Sequence, residues 1–413
     1  MEGLRLRNGR RALVIGGSMS GLLAALSLTR HGFDVEVFER VGEPLAGRGA
    51  GIVAQPELKA MLRAVGLDPD HDLGIEVDTR LMFARDGSIT HRVHMRQTMT
   101  AWDRVFFLLK AAFPEARYHS GKELRSVAQD AGGVTAHFAD GTTAQGDVLI
   151  GADGIRSTVR QQYLSDLAPL YAGYAAWRGL VAEADFPAAL HAELFEDFSF
   201  CLPENEQMLG YPVAGPGNDM RVGHRRYNFV WYRPASEACG LPRLLTDDSG
   251  RTHVLSIPPP LIARDVVAAT RVDAERVLPP QFNVMVGLCD LPFLQPIYDL
   301  EVPRMAFGRV AILGDAAFVA RPHVGAGVAK AAEDALVLAQ ALADHDDVET
   351  ALRQFESARI GIGARIIAHA RHLGAYVQAE VKTDAEREHA ERHRTPEAVL
   401  AETALMDFLL QPQ

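Results

Sequence analysis

Three short clusters of residues, far apart along the chain, are of types that can hold an anionic, sugar-bearing ligand. Gly16-Gly17-Ser18-Met19-Ser20-Gly21 ends an apolar run and opens an amphipathic one. A glycine at position 16 suits a tight turn, and the free N–H groups at the positive end of a following helix attract a pyrophosphate. Glu39, about 20 residues on, stands where a carboxylate accepts hydrogen bonds from an adenosine ribose, with Arg40 beside it. Asp153-Gly154-Ile155-Arg156 sets a carboxylate and a guanidinium behind a second apolar run. Gly314-Asp315 places another carboxylate behind a third, and Pro322, Gly325, Ala326, Gly327 and Val328 follow it. There a sugar hydroxyl can donate to Asp315, and the glycines leave backbone N–H groups for an anion or a ring carbonyl. In the glycine-rich 44–52 loop, Gly51 and Ile52 let backbone approach a flat ligand and Arg48 supplies a cation. Arg104 falls in the first turn of a helix expected at 101–113, where a cation opposes the helix dipole unless an anion lies near.

The elements that must position these clusters can be read from hydrophobic spacing. Residues 12–15 predict a strand, 19–31 a helix and 34–38 a second strand closing on Glu39: a βαβ unit with Ser18 at the fingerprint's middle glycine. The 148–150 and 308–313 runs predict buried strands, so Asp153 and Asp315 stand at strand ends, where open α/β sheets place ligands. A helix is expected at 56–65, a hairpin at 74–94 about Asp86-Gly87, and Thr100 as cap of the 101–113 helix. Two strands are expected at 123–147 about Asp140-Gly141. Residues 171–232 predict a mainly antiparallel, aromatic-rich sheet with a loop at 214–219, 258–286 a helical stretch, and 300–306 a strand. Long helices follow to 342 and over 348–376, then a charged helix at 384–393 and an apolar one from Thr395-Pro396 to Leu410. The fold class is α/β: a Rossmann-like dinucleotide domain (1–73, 98–170, 304–345), a second, mainly antiparallel β domain (74–97, 171–303) and C-terminal helices (346–413).

Composition narrows the function. With 413 residues, 48% of them hydrophobic, the chain can bury a large core. A net charge of −11 argues against nucleic acid, which demands a basic footprint. Cys201, Cys239 and Cys289 lack metal-ligand spacing and point to a reducing, cytoplasmic setting without a structural metal. The uncharged 12–29 stretch follows Arg5, Arg7, Arg10 and Arg11, which a signal peptide or membrane span would also show. A span needs roughly 20 apolar residues without the central Gly-Gly-Ser and Ser found here.

The order of the three clusters resembles the class A flavoprotein aromatic hydroxylases, the para-hydroxybenzoate hydroxylase-like group, over roughly residues 11–375. The resemblance implies non-covalent FAD in a glutathione-reductase type domain. It places Glu39 at the adenosine ribose, Gly16 to Gly21 with Arg104 at the pyrophosphate, and Asp315 at the ribityl–pyrophosphate region. Pro322 to Gly327 would lie at the isoalloxazine, with Arg48, Gly51 and Ile52 beside it. Asp153 and Arg156 would serve FAD and nicotinamide together. The family usually carries Asn two residues after the glycine matching Gly327, and this chain has Ala329-Lys330. A narrower likeness, to the hydroxypyridine monooxygenases of the 2,6-dihydroxypyridine 3-hydroxylase group, lies in 51–58, 171–179, Arg321-Pro322-His323 and Ala329-Lys330. It implies a hydroxypyridine-type substrate.

With one nucleotide fingerprint, NADH or NADPH is expected to visit, reduce the flavin and leave. O2 would then give a flavin C4a-hydroperoxide that hydroxylates the ring. The substrate hydroxyl must be made electron-rich and water excluded. His323, Tyr211, His224 and Trp231 are the substrate-side candidates, with His323 as the base. A flavoprotein of the same fold that inserts no oxygen, such as a geranylgeranyl-reductase-like enzyme, and a non-catalytic nucleotide-binding protein are the alternatives. The tail is read as packing either on the domain or on a partner subunit of a homodimer, the one protein partner considered.

Overall fold

The computed structural model describes residues 9–43 and 51–410. The Arg11–Ile15 strand is buried along nearly its whole length, as a parallel strand covered on both faces must be. It pairs in parallel with Asp34–Glu39 on one side and Val148–Gly151 on the other, and Val310–Ile312 pairs in parallel with Val148–Gly151. Tyr118–Ser120 extends one edge and the antiparallel Ala306–Phe307 the other, making six strands. Ile15 stands opposite Gly151, and Gly151 opposite Ile312. The three strands therefore end level, and the loops beginning at Gly16, Ala152 and Leu313 leave the sheet side by side. The Met19–Arg30 and Gly327–Asp344 helices pack together beside this sheet.

A second sheet of nine strands runs Phe318–Val319, Phe293–Glu301, Leu170–Ala182, Arg226–Pro234, Gln207–Val213, Phe198–Cys201, Ile75–Phe83, Ile89–Ala101 and Gly51–Val53. All its pairings are antiparallel except Phe198–Cys201 with Ile75–Phe83. Side chains alternate between its faces. Trp177, Phe229 and Trp231 pack on one face with Val266 and Phe282 of the Arg264–Val277 and Pro280–Leu288 helices. Tyr174, Tyr211 and Tyr232 lie on the other, with Tyr376, Val399 and Leu400 of the C-terminal segments. Gly51–Val53 and Phe318–Val319 join this sheet although both fall in segments expected to belong to the dinucleotide domain. Among the described residues no helix is long and apolar enough to cross a membrane.

Several elements differ from expectation for identifiable reasons. Thr100 ends a strand rather than capping the Trp102–Ala112 helix, because its hydroxyl donates to Leu73 O at 2.5 Å. Residues 123–147 form three strands, Leu124–Asp130, Gly133–Phe138 and Thr143–Gly146, in a separate small sheet. Leu278-Pro279 divides the expected 258–286 helical stretch into two helices. The strand expected at 300–306 is instead Phe293–Glu301, since Pro303 has no N–H to continue the ladder. The last helix stops at Glu402 and Ala404 turns with φ +56° before a short Asp407–Leu410 helical turn.

The Val348–Leu373 and Asp384–His393 helices meet through imidazoles: His372 stacks on His389 with centroids 3.6 Å apart, and His369 stacks on Phe408. Burial, and then neighbouring histidines, push His369 and His372 down to about 4. The folded values lie below the ordinary 6.5, so the unfolded chain binds protons first on acidification. Their stabilising contribution is complete above pH 6.5 and is lost as pH falls toward 4. Melting curves across that window are expected to show a falling Tm, and His372→Gln is expected to flatten the fall; parallel curves for the two proteins would refute this origin.

Candidate active site

The three loops line one crevice of about 440 Å³, whose walls include Gly16, Ser18, Ser20, Glu39, Arg40, Asp153, Gly154, Arg156 and Asp315. Its first loop requires glycine on steric grounds. Gly16 has φ +102°, and a Cβ there would lie 2.4 Å from Ala152 O. A Cβ on Gly21 would lie 1.8 Å from Gly16 O. Ser18 is different: its φ of −84° and ψ of −166° are ordinary extended values, so a side chain is tolerated at the fingerprint's middle position. Ser18 caps the Met19–Arg30 helix without a side-chain cap bond, leaving the first-turn N–H groups facing the crevice. Met19 itself points into the core. Glu39 ends the second strand, accepting from Gly17 N–H at 2.8 Å and Val41 N–H at 3.0 Å.

In the second loop, Asp153 Oδ2 accepts from Thr158 N–H at 2.7 Å, while Oδ1 is buried without a partner. Burial raises the Asp153 pKa, against the pull of Ser157 and backbone N–H groups. Arg156 is exposed and donates to Val254 O and Ser256 Oγ on the far wall. Arg160, which spacing alone did not single out, is buried and donates to Ile155 O at 2.5 Å and Ala316 O at 3.0 Å, tying the second loop to the third.

The third loop is held from beneath. Gly314 has φ +60°, and a Cβ would lie 2.4 Å from Ser20 Oγ. Lys330, 1% exposed, donates to Gly314 O at 3.0 Å and lies 3.4 Å from Asp334 Oδ2. Asp334 Oδ1 in turn accepts from Arg359 Nε at 2.7 Å. Lys330, next to the Ala329 that departs from the family pattern, thus anchors the loop bearing Asp315. Asp315 is exposed where it opens onto the crevice; the surrounding protein raises its pKa and the Lys330 charge opposes the rise.

Pro322–Val324 form a helical turn, Gly325 follows at φ +63°, and the helix begins at Gly327 with Ala326 as cap and Val328 in its first turn. His323 is 2% exposed; its Nε2 lies 2.9 Å from Tyr174 Oη and its ring centroid 4.2 Å from that of Tyr232. Burial, then the Arg321 charge, pushes its pKa down to about 3, so the imidazole is neutral near pH 7. Ala404 N–H donates to His323 O at 2.7 Å, and Ala404 O accepts from Gln55 Nε2 at 2.7 Å. Gly51 N–H donates to Asn228 Oδ1 at 3.0 Å, and a Cβ on Gly51 would lie 2.3 Å from the Tyr211 ring. Ile52 is partly buried against the core of the dinucleotide domain.

Tyr211 and His323 thus share the sheet face that carries Gly51 and the 322–325 turn. Trp231 does not: its indole is on the opposite face, donating to Glu206 Oε2 at 2.7 Å. His224 lies ahead of the Arg226–Pro234 strand, its side chain 56% exposed and 3.7 Å from Asp219. Arg104 donates to Asp72 O at 2.9 Å and is not among the crevice walls. Arg48 lies outside the described residues.

The FAD binding domain family matches residues 10–234, and an FAD binding domain-like family matches 171–299. The chain is 33% identical over 368 residues to 2,6-dihydroxypyridine 3-monooxygenase of Paenarthrobacter nicotinovorans, covering 89% of this chain and 91% of the relative. It is similar to the solved structure of 2,6-dihydroxypyridine-3-hydroxylase from Arthrobacter nicotinovorans, with a TM-score of 0.84, 32% identity, and coverage of 91% of this chain and 94% of that one. The 6-hydroxynicotinate 3-monooxygenase of Bordetella bronchiseptica is 27% identical, covering 86% of this chain and 89% of the relative.

FAD fits the crevice: the steric glycines leave room for a pyrophosphate against the helix start, and the unpartnered Asp153 Oδ1 can accept from a hydroxyl of the cofactor. Lys330→Met would leave the buried Asp334 carboxylate to Arg359 and free the Gly314 carbonyl, the loss of a partner at a buried acceptor that costs about 1–3 kcal/mol. FAD affinity in a fluorescence titration is expected to fall at least about tenfold while far-UV circular dichroism is retained; unchanged affinity would remove Lys330 from the cofactor site.

Proposed function

Because this chain belongs to the FAD binding domain family and is an FAD-dependent aromatic-ring monooxygenase, we propose that its substrate is a small hydroxypyridine-type ring, held between the 322–325 turn and the Tyr211-bearing face of the large sheet. The observation that carries this reading is the convergence of three loops on one crevice, together with the packing of the 322–325 turn on the Tyr174- and Tyr232-bearing face of the large sheet. The two most similar hydroxylases named above act on hydroxylated pyridines, which supports the substrate class.

When bound, FAD supplies the redox chemistry: it takes a hydride from NAD(P)H and delivers one oxygen atom of O2 to the ring, the other leaving as water. The chain's own residues bind, orient and keep the reaction dry. The first-turn N–H groups and Ser18 would hold the pyrophosphate, Glu39 the ribose, and Asp153 and Asp315 the central hydroxyls. Pro322 to Val328 would present backbone to the ring system, with Gly51 and Ile52 on its other side. With no second βαβ fingerprint in the sequence, the nicotinamide nucleotide approaches from outside, and Arg156 at the crevice mouth is placed to meet its phosphates.

His323 we assign to positioning. A neutral imidazole bonded to Tyr174 Oη, with its carbonyl held by Ala404, fixes the turn and excludes water from beneath it. Tyr211, against Gly51, walls the ring from the sheet side.

The test is a panel of 2,6-dihydroxypyridine, 6-hydroxynicotinate, 3-hydroxybenzoate and resorcinol with FAD-loaded enzyme. A hydroxypyridine is expected to accelerate NAD(P)H oxidation at least about tenfold over the resting rate, with hydroxylated product equal to NAD(P)H consumed. Acceleration without oxygenated product would favour an oxidoreductase that inserts no oxygen. Response to the benzenoid compounds alone would replace the substrate class.

A further inference from the structure

The sheet face beneath the 322–325 turn is apolar apart from a few side chains. Four side chains there, Gln207, Arg178, Asn228 and Tyr376, hold hydrogen-bonding atoms that nothing meets, Gln207 and Arg178 among them closest in register to the turn. Gln207 is 1% exposed, yet neither its amide nitrogen nor its amide oxygen has a partner. Arg178 donates through one terminal nitrogen to Gln295 Oε1 at 2.8 Å and lies over the Phe293 ring, but its Nε is buried and unmet. Folded proteins bond nearly all such atoms, so an unmet set gathered on one face marks a ligand's place.

Register puts the two residues together. Gln207 stands opposite Tyr232, Tyr232 opposite Ala176, and Arg178 one pleat further along its strand, opposite Val230. With strands about 4.8 Å apart, their Cα atoms are roughly 12 Å apart across the Tyr232 strand, a span their side chains and one six-membered ring close. Tyr232 packs against His323 of the turn, so this patch lies directly under the element assigned to the flavin ring.

We infer that Gln207 and Arg178 are the specificity-determining pair of the substrate site: Gln207 reads a lactam-like N–H/C=O edge and Arg178 faces the ring oxygen that ionises. A primary amide offers a donor and an acceptor side by side, and a hydroxypyridine in its pyridone form returns the matching acceptor and donor. A phenol has no N–H beside its oxygen and leaves one amide atom unmet, the arrangement by which a buried polar site rejects an analogue. A guanidinium is a cation at every working pH, and the Arg178 charge reaches this space: burial raises the hydroxyl pKa values of Tyr211 and Tyr232, and that charge opposes the rise. A substrate hydroxyl placed there is drawn toward its anion, which makes the ring electron-rich without a titrating base.

This assignment rests on the hydroxypyridine reading and is tested with 2,6-dihydroxypyridine against resorcinol, which keeps both oxygens and lacks the ring nitrogen. For the FAD-loaded wild type, kcat/KM for the pyridine is expected to exceed that for resorcinol about a hundredfold. In Gln207→Leu, or Gln207→Met should the first variant fold poorly, the ratio is expected to shrink at least tenfold, mainly through KM. Arg178→Met is expected to shift the pH dependence of kcat upward, as the bound hydroxyl loses its counter-charge. A merely structural role would lower both substrates together and leave the ratio and the pH profile in place, which overturns the inference. A wild type that prefers the pyridine, with a ratio unchanged in both Gln207 variants, overturns it while sparing the substrate reading. A wild type that hydroxylates neither ring removes both.

Discussion

Everything in the cofactor crevice depends on three parallel strands ending level. Arg11–Ile15, Val148–Gly151 and Val310–Ile312 pair in register, so loops more than a hundred residues apart in sequence leave the sheet as neighbours. A one-residue slip in either pairing would reverse the facing of a buried strand and shift one loop against the other two. The loops then reinforce the alignment: Gly16 is pressed against Ala152, Gly314 against Ser20, and Arg160 bonds the second loop to the third. Because side chains at Gly16, Gly21 and Gly314 would collide with backbone or a packed serine, the crevice is shaped by what is missing from these residues.

Below the loops sits a buried ionic chain, Lys330 to Asp334 to Arg359, with Glu333 on the far guanidinium nitrogen. Burying charge is costly unless every group is met, and here the cation also satisfies the Gly314 carbonyl. The chain therefore works as a registry device, fixing where the Asp315 loop sits on the Gly327–Asp344 helix. A second brace comes from the other end of the polypeptide. Ala404, in a left-handed conformation that only local constraint sustains, bonds His323 on one side and Gln55 on the other. The C-terminal segment is thereby part of the wall behind the flavin-facing turn.

Local features of this architecture are legible in the sequence and non-local ones are not. The βαβ unit, Glu39 and the two strand-end aspartates can be read because each is encoded within a few neighbouring residues. Ser18 reads as an imperfection until its extended φ and ψ show that no glycine is needed there. Trp231 and Tyr211 look equivalent as aromatic strand residues. Which face each occupies depends on pairing parity, and Trp231 opposes Trp177 on the face away from the crevice. Lys330 is not legible as an anchor because its partner carbonyl lies in a loop 16 residues earlier and Arg359 on another helix. Gln207 carries no signal in the chain, since a glutamine within a strand is unremarkable until it is seen to be buried with nothing to bond.

The same non-locality decides how the substrate is activated. A histidine in a loop beside a flavin suggests a base near neutrality, but His323 meets Tyr174, 149 residues away, inside an apolar face, and the cost of charging an imidazole there holds it neutral. Sharing that face is a guanidinium whose charge does not titrate, Arg178. A fixed cation stabilises the substrate anion in the bound state itself and needs no proton acceptor poised at the working pH. It also suits a dry site, since a charge partly met by Gln295 and Phe293 leaves its buried, unmet Nε for the ring oxygen. An electron-rich ring is what oxygen insertion requires, and the role proposed for Arg178 would supply it by placement beside a charge, without transfer to a base.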